Sequence, residues 1–178
     1  MKGKRLRHLS VLAFAAWTGS PAAAAEIFGG LYSHDVKTGL TRSGFERGVD
    51  FQLGWRGERM SALGVIGAPS PHVFGSVNSA GDTNYAAAGI SWKIGNAIYA
   101  RPGIGLAVHD GPERVVPGDG RIDFGSRILF ALELGVGYQV NDLLSVEASI
   151  VHLSHAQLAG PQNPGLDNVG IRLNYHFR

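Results

Sequence analysis

The chain contains no cysteine. A disulfide framework, a zinc–thiolate centre and a cysteine nucleophile are therefore excluded. After residue 25 it also lacks any apolar run approaching the ~20 residues that a transmembrane helix needs. It has no basic patch with interleaved aromatics of the kind that nucleic-acid-binding proteins carry. His34, His72, His109 and His176 show no close spacing such as His-x-x-x-His, so no metal is expected.

The first residues read as an address. Lys2, Lys4, Arg5 and Arg7 precede an apolar stretch around Val11 to Trp17, and Ala23-Ala24-Ala25 offers an A-x-A cleavage site before Glu26. Residues 1–25 are expected to be a cleaved secretory signal peptide, and residues 26–178 one domain. The whole chain has 16 Lys+Arg against 14 Asp+Glu. Removing four basic residues and no acidic ones leaves 12 against 14, a charge of −2. The basic isoelectric point thus belongs to the leader and is no argument for a nucleic-acid partner.

The remainder alternates. Side chains on a strand point to opposite faces in turn. Ile128, Phe130, Leu132, Leu134, Val136, Tyr138 and Val140 oppose Arg127, Glu133, Gly135, Gly137 and Gln139. The same pattern runs over 45–55, 85–94, 98–109, 144–154 and 168–177, with two less regular candidates at 27–34 and 60–68. Pro69 and Pro71 are expected to end the last of these. The sum is an all-β fold, an eight-stranded antiparallel transmembrane β-barrel, with aromatics near the strand ends. Long connections are expected at 35–44, 69–83, 109–123 and 156–166, and short ones near 57–58, 95–96 and 141–142. Their alternation fits outer loops and periplasmic turns, with both termini in the periplasm. A soluble barrel of lipocalin type is the competing fold, because alternation alone does not say which face is inside.

In the membrane version the polar faces fill the lumen. Asp50, Arg101, Arg127, Glu133, Glu147 and Arg172 are its expected charges, arranged as an ion-pair network. A barrel this small packs side chains inside, which argues against a general porin.

One strand places chemistry on its greasy side. Leu144, Val146, Ala148 and Ile150 share a face with His152 and Ser154. Those two are ~6–7 Å apart along the strand, a gap that imidazole can largely cover. Ester cleavage by a hydroxyl needs a base to take its proton and an acid to orient the base. Asp167 has the parity of Val169, Ile171 and Leu173, so the next strand offers a carboxylate on the same face. A carboxylate facing lipid is costly unless partnered. An inert serine beside a structural histidine, in a structural or adhesive barrel, is the contrasting reading.

These residues also carry a resemblance. His152-Leu-Ser154-His-Ala156 followed by Asn163-Pro-Gly165-Leu-Asp167 resembles the signature of the lipid A 3-O-deacylase (PagL) family, His-x-Ser-Asn-Ala and then Asn-x-Gly-x-Glu. Gly29-Gly30-Leu-Tyr32-Ser-His34, and Gly125-Ser-Arg127 through Glu133-Leu-Gly135, resemble it as well. The resemblance implies a cofactor-independent outer-membrane esterase that removes the acyl chain at position 3 of lipid A. It implies Ser154 as nucleophile, His152 as base, Asp167 as acid and Asn163 as an oxyanion-hole donor. Lipid A in lipopolysaccharide is the implied substrate, with the site near the outer leaflet. Outer-membrane lipid and a second copy of the chain, as a homodimer, are the other candidate partners. An outer-membrane phospholipase with the same trio is the nearest alternative. The chain departs from the signature at His155, where the family has Asn, at Asp167, where it has Glu, and in a loop one residue longer.

Overall fold

The computed structural model describes residues 24–41, 44–114, 118, 120–160 and 163–177. The expected signal peptide lies outside them except for residues 24 and 25, which open the first strand. Eight long strands run through the described residues. They are β1 (Ala24–Ser33), β2 (Val49–Gly57), β3 (Ser70–Asn78), β4 (Tyr85–Ser91), β5 (Ile98–His109), β6 (Ile128–Gln139), β7 (Leu144–Ser154) and β8 (Leu166–His176). A two-residue strand, Ile94–Gly95, pairs with the start of β5. Neighbours are antiparallel in the order β4-β3-β2-β1-β8-β7-β6-β5, and β4 pairs with β5 to close the barrel.

Burial decides between the two barrel types. Leu53, Leu134 and Ile171 are 61%, 51% and 62% exposed, whereas Asp50, Glu147 and Arg172 are at most 1% exposed. Apolar side chains point out and charged ones point in, which is the transmembrane arrangement and the reverse of a soluble barrel. Closure pairs every long strand among the described residues on both sides, so none of them presents an open edge to lipid.

The lumen holds the ion-pair network. Arg101 Nε donates to Glu147 at 2.9 Å, and Arg172 Nη2 donates to Glu133 at 2.8 Å. Two charges join from beyond the expected set, Glu26 and Arg56, which pair with each other. His72 meets Glu133 at 2.9 Å. Arg127 does not belong to the lumen. It sits exposed at the rim, where Nε donates to Glu113 at 2.9 Å and Nη1 to the His109 carbonyl at 2.7 Å.

Two expected elements are corrected. Residues 60–68 do not form a strand. Ser61–Ile66 is a 3₁₀ helix, closed by Gly67 at φ +89°, whose N–H donates to the carbonyls of Leu63 and Gly64. The strand follows it at Ser70–Asn78, with Pro71 inside. Pro71 lies beyond the last β2–β3 pair, Arg56 with His72, so its missing N–H interrupts no bond on that side. Residues 45–48 are also loop, and β2 begins at Val49. The connections are therefore 34–48, 79–84, 110–127 and 155–165 at one end, and 58–69, 92–97 and 140–143 at the end where β1 starts and β8 finishes. The 79–84 connection is short and the 58–69 connection long, the opposite of their expected lengths.

Candidate functional site

β7 and β8 form a continuous ladder from Leu144 opposite Tyr175 to Leu153 opposite Leu166. That register sets His152 directly across from Asp167. Shared parity then puts both on the outward side with Ser154, at the end of the barrel that carries the 155–165 loop. His152 Nδ1 lies 2.6 Å from Asp167 Oδ1, and His152 Nε2 lies 3.0 Å from Ser154 Oγ. The direct cross-strand pairing meets the short reach of an aspartate. Ser154 is 9% exposed and Asp167 0%, while the His152 side chain keeps 14%. On the other flank β6 sets Leu132 opposite His152 and Phe130 opposite Ser154, so the polar line is bordered by apolar side chains.

Such a line can move a proton. A carboxylate accepting Nδ1–H leaves Nε2 free to accept the serine proton. Asp167 has further partners that local spacing does not reveal. Its Oδ2 accepts from the hydroxyl of Thr38 and, at 3.3 Å, from that of Thr41. Both threonines stand in the 34–48 loop, more than 120 residues away in sequence, brought near by the β1–β8 pairing.

Among the described residues Asn163 makes no hydrogen bond to the three. Its Oδ1 accepts the His155 backbone N–H at 3.0 Å, which leaves the side-chain NH₂ as a donor. His155 itself is buried, and its Nδ1 accepts the Ala159 N–H at 3.3 Å, holding the turn in which Ala156 and Gln157 adopt φ of +51° and +61°. Among the described residues no group of three His, Asp or Glu is placed to hold a metal ion.

The family model for lipid A 3-O-deacylase (PagL) matches residues 35–176, most of the chain and both strands that carry the site. The chain belongs to the PagL family. The crystal structure of the outer-membrane enzyme PagL has a similar fold, with a TM-score of 0.59 at 16% identity over 86% of this chain and 100% of that one. Neisserial surface protein A (NspA) is similar at a TM-score of 0.55 and 12% identity, over 85% of this chain and 96% of that one. No curated protein matches the sequence significantly. The His-x-Ser and Asn-x-Gly-x-Asp segments of this PagL-family chain both fall within the matched residues.

The loop beside the site is tied down by buried polar groups. Asp35 Oδ2 accepts three backbone N–H groups, from Gly44, Phe45 and Glu46, at 2.7–2.9 Å. Glu46 joins three connections, since it accepts from Thr83 Oγ1 at 2.9 Å, from the Ile122 N–H at 3.1 Å and from His34. Burial raises the Glu46 carboxyl, but the hydrogen bonds from His34 and Thr83 outweigh it and leave the pKa below its ordinary value. His34 touches Glu46 through Nε2 and Asp50 through Nδ1, each at 2.9 Å. Burial disfavours its charge, yet the two carboxylates prevail and raise its pKa from 6.5 to about 9.

A pH dependence follows. A raised histidine stabilises the fold fully below its unfolded pKa of 6.5 and loses that contribution as pH climbs through about 9. The loss is on the order of 3 kcal/mol. Urea midpoints of the barrel in detergent micelles should fall between those two pH values, and fall less in His34→Gln. Parallel curves for the two proteins would mean that His34 does not carry the effect.

Proposed function

We propose that this protein is an outer-membrane esterase that hydrolyses the ester-linked 3-hydroxyacyl chain at position 3 of lipid A. Family membership supplies the substrate class. The observation that carries the reading is the hydrogen-bonded line from Ser154 through His152 to Asp167 on the lipid-facing side of the barrel.

In this mechanism Asp167 holds the Nδ1–H tautomer of His152, and Nε2 takes the Ser154 proton as Oγ attacks the ester carbonyl. The Asn163 amide is the candidate donor to the resulting oxyanion, a role typically worth ~3 kcal/mol. As the tetrahedral species collapses, the imidazolium returns its proton to the departing sugar oxygen, leaving an acyl-Ser154 ester. Water, deprotonated by the same imidazole, then releases the 3-hydroxy fatty acid and restores Ser154. The loop end of the barrel would face the outer leaflet, where lipopolysaccharide resides. Ile150 and Val169, paired across β7 and β8 on the outward face, would lie along acyl chains.

Mass spectrometry of lipid A from cells expressing the parent or Ser154→Ala tests the reading. Loss of one 3-hydroxyacyl group with the parent alone is expected. Unchanged lipid A in both, with the barrel folded in the outer membrane, would defeat it. Fatty-acid release from phospholipid vesicles free of lipid A would then indicate a phospholipase, and its absence a structural barrel.

A further inference from the structure

We infer that Thr38 and Thr41 form a two-hydroxyl clamp that positions Asp167 for His152, making the 34–48 loop part of the proton-transfer apparatus. The inference rests on the serine-esterase reading for its kinetic consequence, but its geometry stands apart from that reading.

Asp167 is 0% exposed, so both of its oxygens need donors. Oδ1 is taken by His152 at 2.6 Å. Oδ2 receives the hydroxyls of Thr38 and Thr41. The direction of the Thr38 proton is fixed, because Thr38 Oγ1 already accepts the Leu40 N–H at 2.9 Å and turns its own hydrogen to Asp167. Held from both sides, the carboxylate cannot rotate its charge away from Nδ1.

The loop is fastened so that the clamp stays shut. The Val36 N–H donates to the Asp167 carbonyl at 2.7 Å, and the Asp35 N–H donates to Asn168 Oδ1 at 3.1 Å. The Asp35 carboxylate draws residues 44–46 back towards its own position, closing the loop around the threonines. Gly165 leaves the room required. A Cβ there would stand 3.0 Å from Thr41 Cγ2 and 3.4 Å from His152 Cε1, crowding the clamp and the imidazole together. Thr38 and Thr41 do not reach the reacting atoms, so they are positioning residues.

Two readouts decide the matter in purified, micelle-embedded protein. The first is the low-field proton resonance of His152 Nδ1–H, which reports its hydrogen bond to Asp167 whether or not the protein is an enzyme. It should move upfield or broaden in Thr38→Val and Thr41→Val and return in Thr38→Ser and Thr41→Ser. The second is turnover of lipid A. Each valine variant should lose about tenfold or more in kcat with little change in KM, and each serine variant should recover most of it, as for a hydrogen bond to a charged group. Thr38→Ala and Thr41→Ala, which remove the hydroxyl without adding a methyl group, guard against a failure to fold. A parent without activity defeats the esterase reading and leaves the resonance to judge the clamp. A resonance unchanged in the valine or alanine variants overturns the clamp, as does full kcat in them.

Discussion

Asp167→Asn is expected to lower kcat for lipid A deacylation by about four orders of magnitude while the barrel stays folded. The size of the loss follows from the threonines as much as from the lost charge. Thr38 and Thr41 present hydroxyl donors to the Oδ2 position. An asparagine there would turn its carbonyl oxygen to those donors and its NH₂ to His152 Nδ1. Nδ1 would then have to accept, and the ring proton would move to Nε2. Nε2–H faces Ser154 Oγ across 3.0 Å, so the base would meet the nucleophile with its proton already on. Single-turnover kinetics on lipid A in mixed micelles would measure this, alongside the shift in the His152 ring resonances. A loss smaller than tenfold would remove Asp167 from the proton relay.

The three residues on β7 and β8 were legible in the sequence because the hairpin makes them nearly local. Parity fixed their common face, and the turn fixed which residues could stand opposite one another. The threonines were not legible. Their contact with Asp167 depends on the pairing of β1 with β8, across sequence separations of 129 and 126 residues. No local signal marks a loop hydroxyl that will meet a strand formed by the far end of the chain.

The barrel shows the same division. Alternation marked most strands but could not say which face was inside, since a period of two is symmetric under exchange of faces. The connection 58–69 resembles a strand in sequence because Leu63, Val65 and the residues around them alternate over too short a window to separate a strand from a 3₁₀ turn. The true strand at Ser70–Asn78 was hidden by Pro71, tolerated near the strand's first residue. Arg56 lies one residue past the regular alternation that ends at Trp55, because β2 continues to Gly57.

Arg172→Met is expected to destabilise the barrel by about 3–5 kcal/mol, the cost of removing one partner from a buried ion network. Arg172 is 1% exposed, and its guanidinium binds four ways: Nη2 to Glu133 at 2.8 Å and to Gln52 at 2.6 Å, Nη1 to Glu147 at 3.3 Å, and Nε to Gln52 at 3.1 Å. Its charged plane also lies 4.4 Å from the centre of the Phe28 ring. Methionine fills much of the same volume, so the loss is electrostatic rather than a cavity. Glu147 would keep Arg101 at 2.9 Å, and Glu133 would keep His72 at 2.9 Å as its direct ion-pair contact among the described residues. The uncompensated charge therefore falls mainly on Glu133, a buried carboxylate whose charge is weakly screened. Arg172→Met combined with Glu133→Gln should accordingly recover a large part of the loss, whereas Arg172→Met combined with Glu147→Gln should recover less, since that change also takes from Arg101 its shorter carboxylate contact and leaves it Glu26 at 3.4 Å. Urea unfolding of these four proteins together with the Glu133→Gln and Glu147→Gln single variants, six in all and in one lipid system, measures the couplings directly. A single variant within about 1 kcal/mol of the parent would show that the network tolerates an unpaired carboxylate, and that packing of the outward apolar face against lipid carries the stability instead.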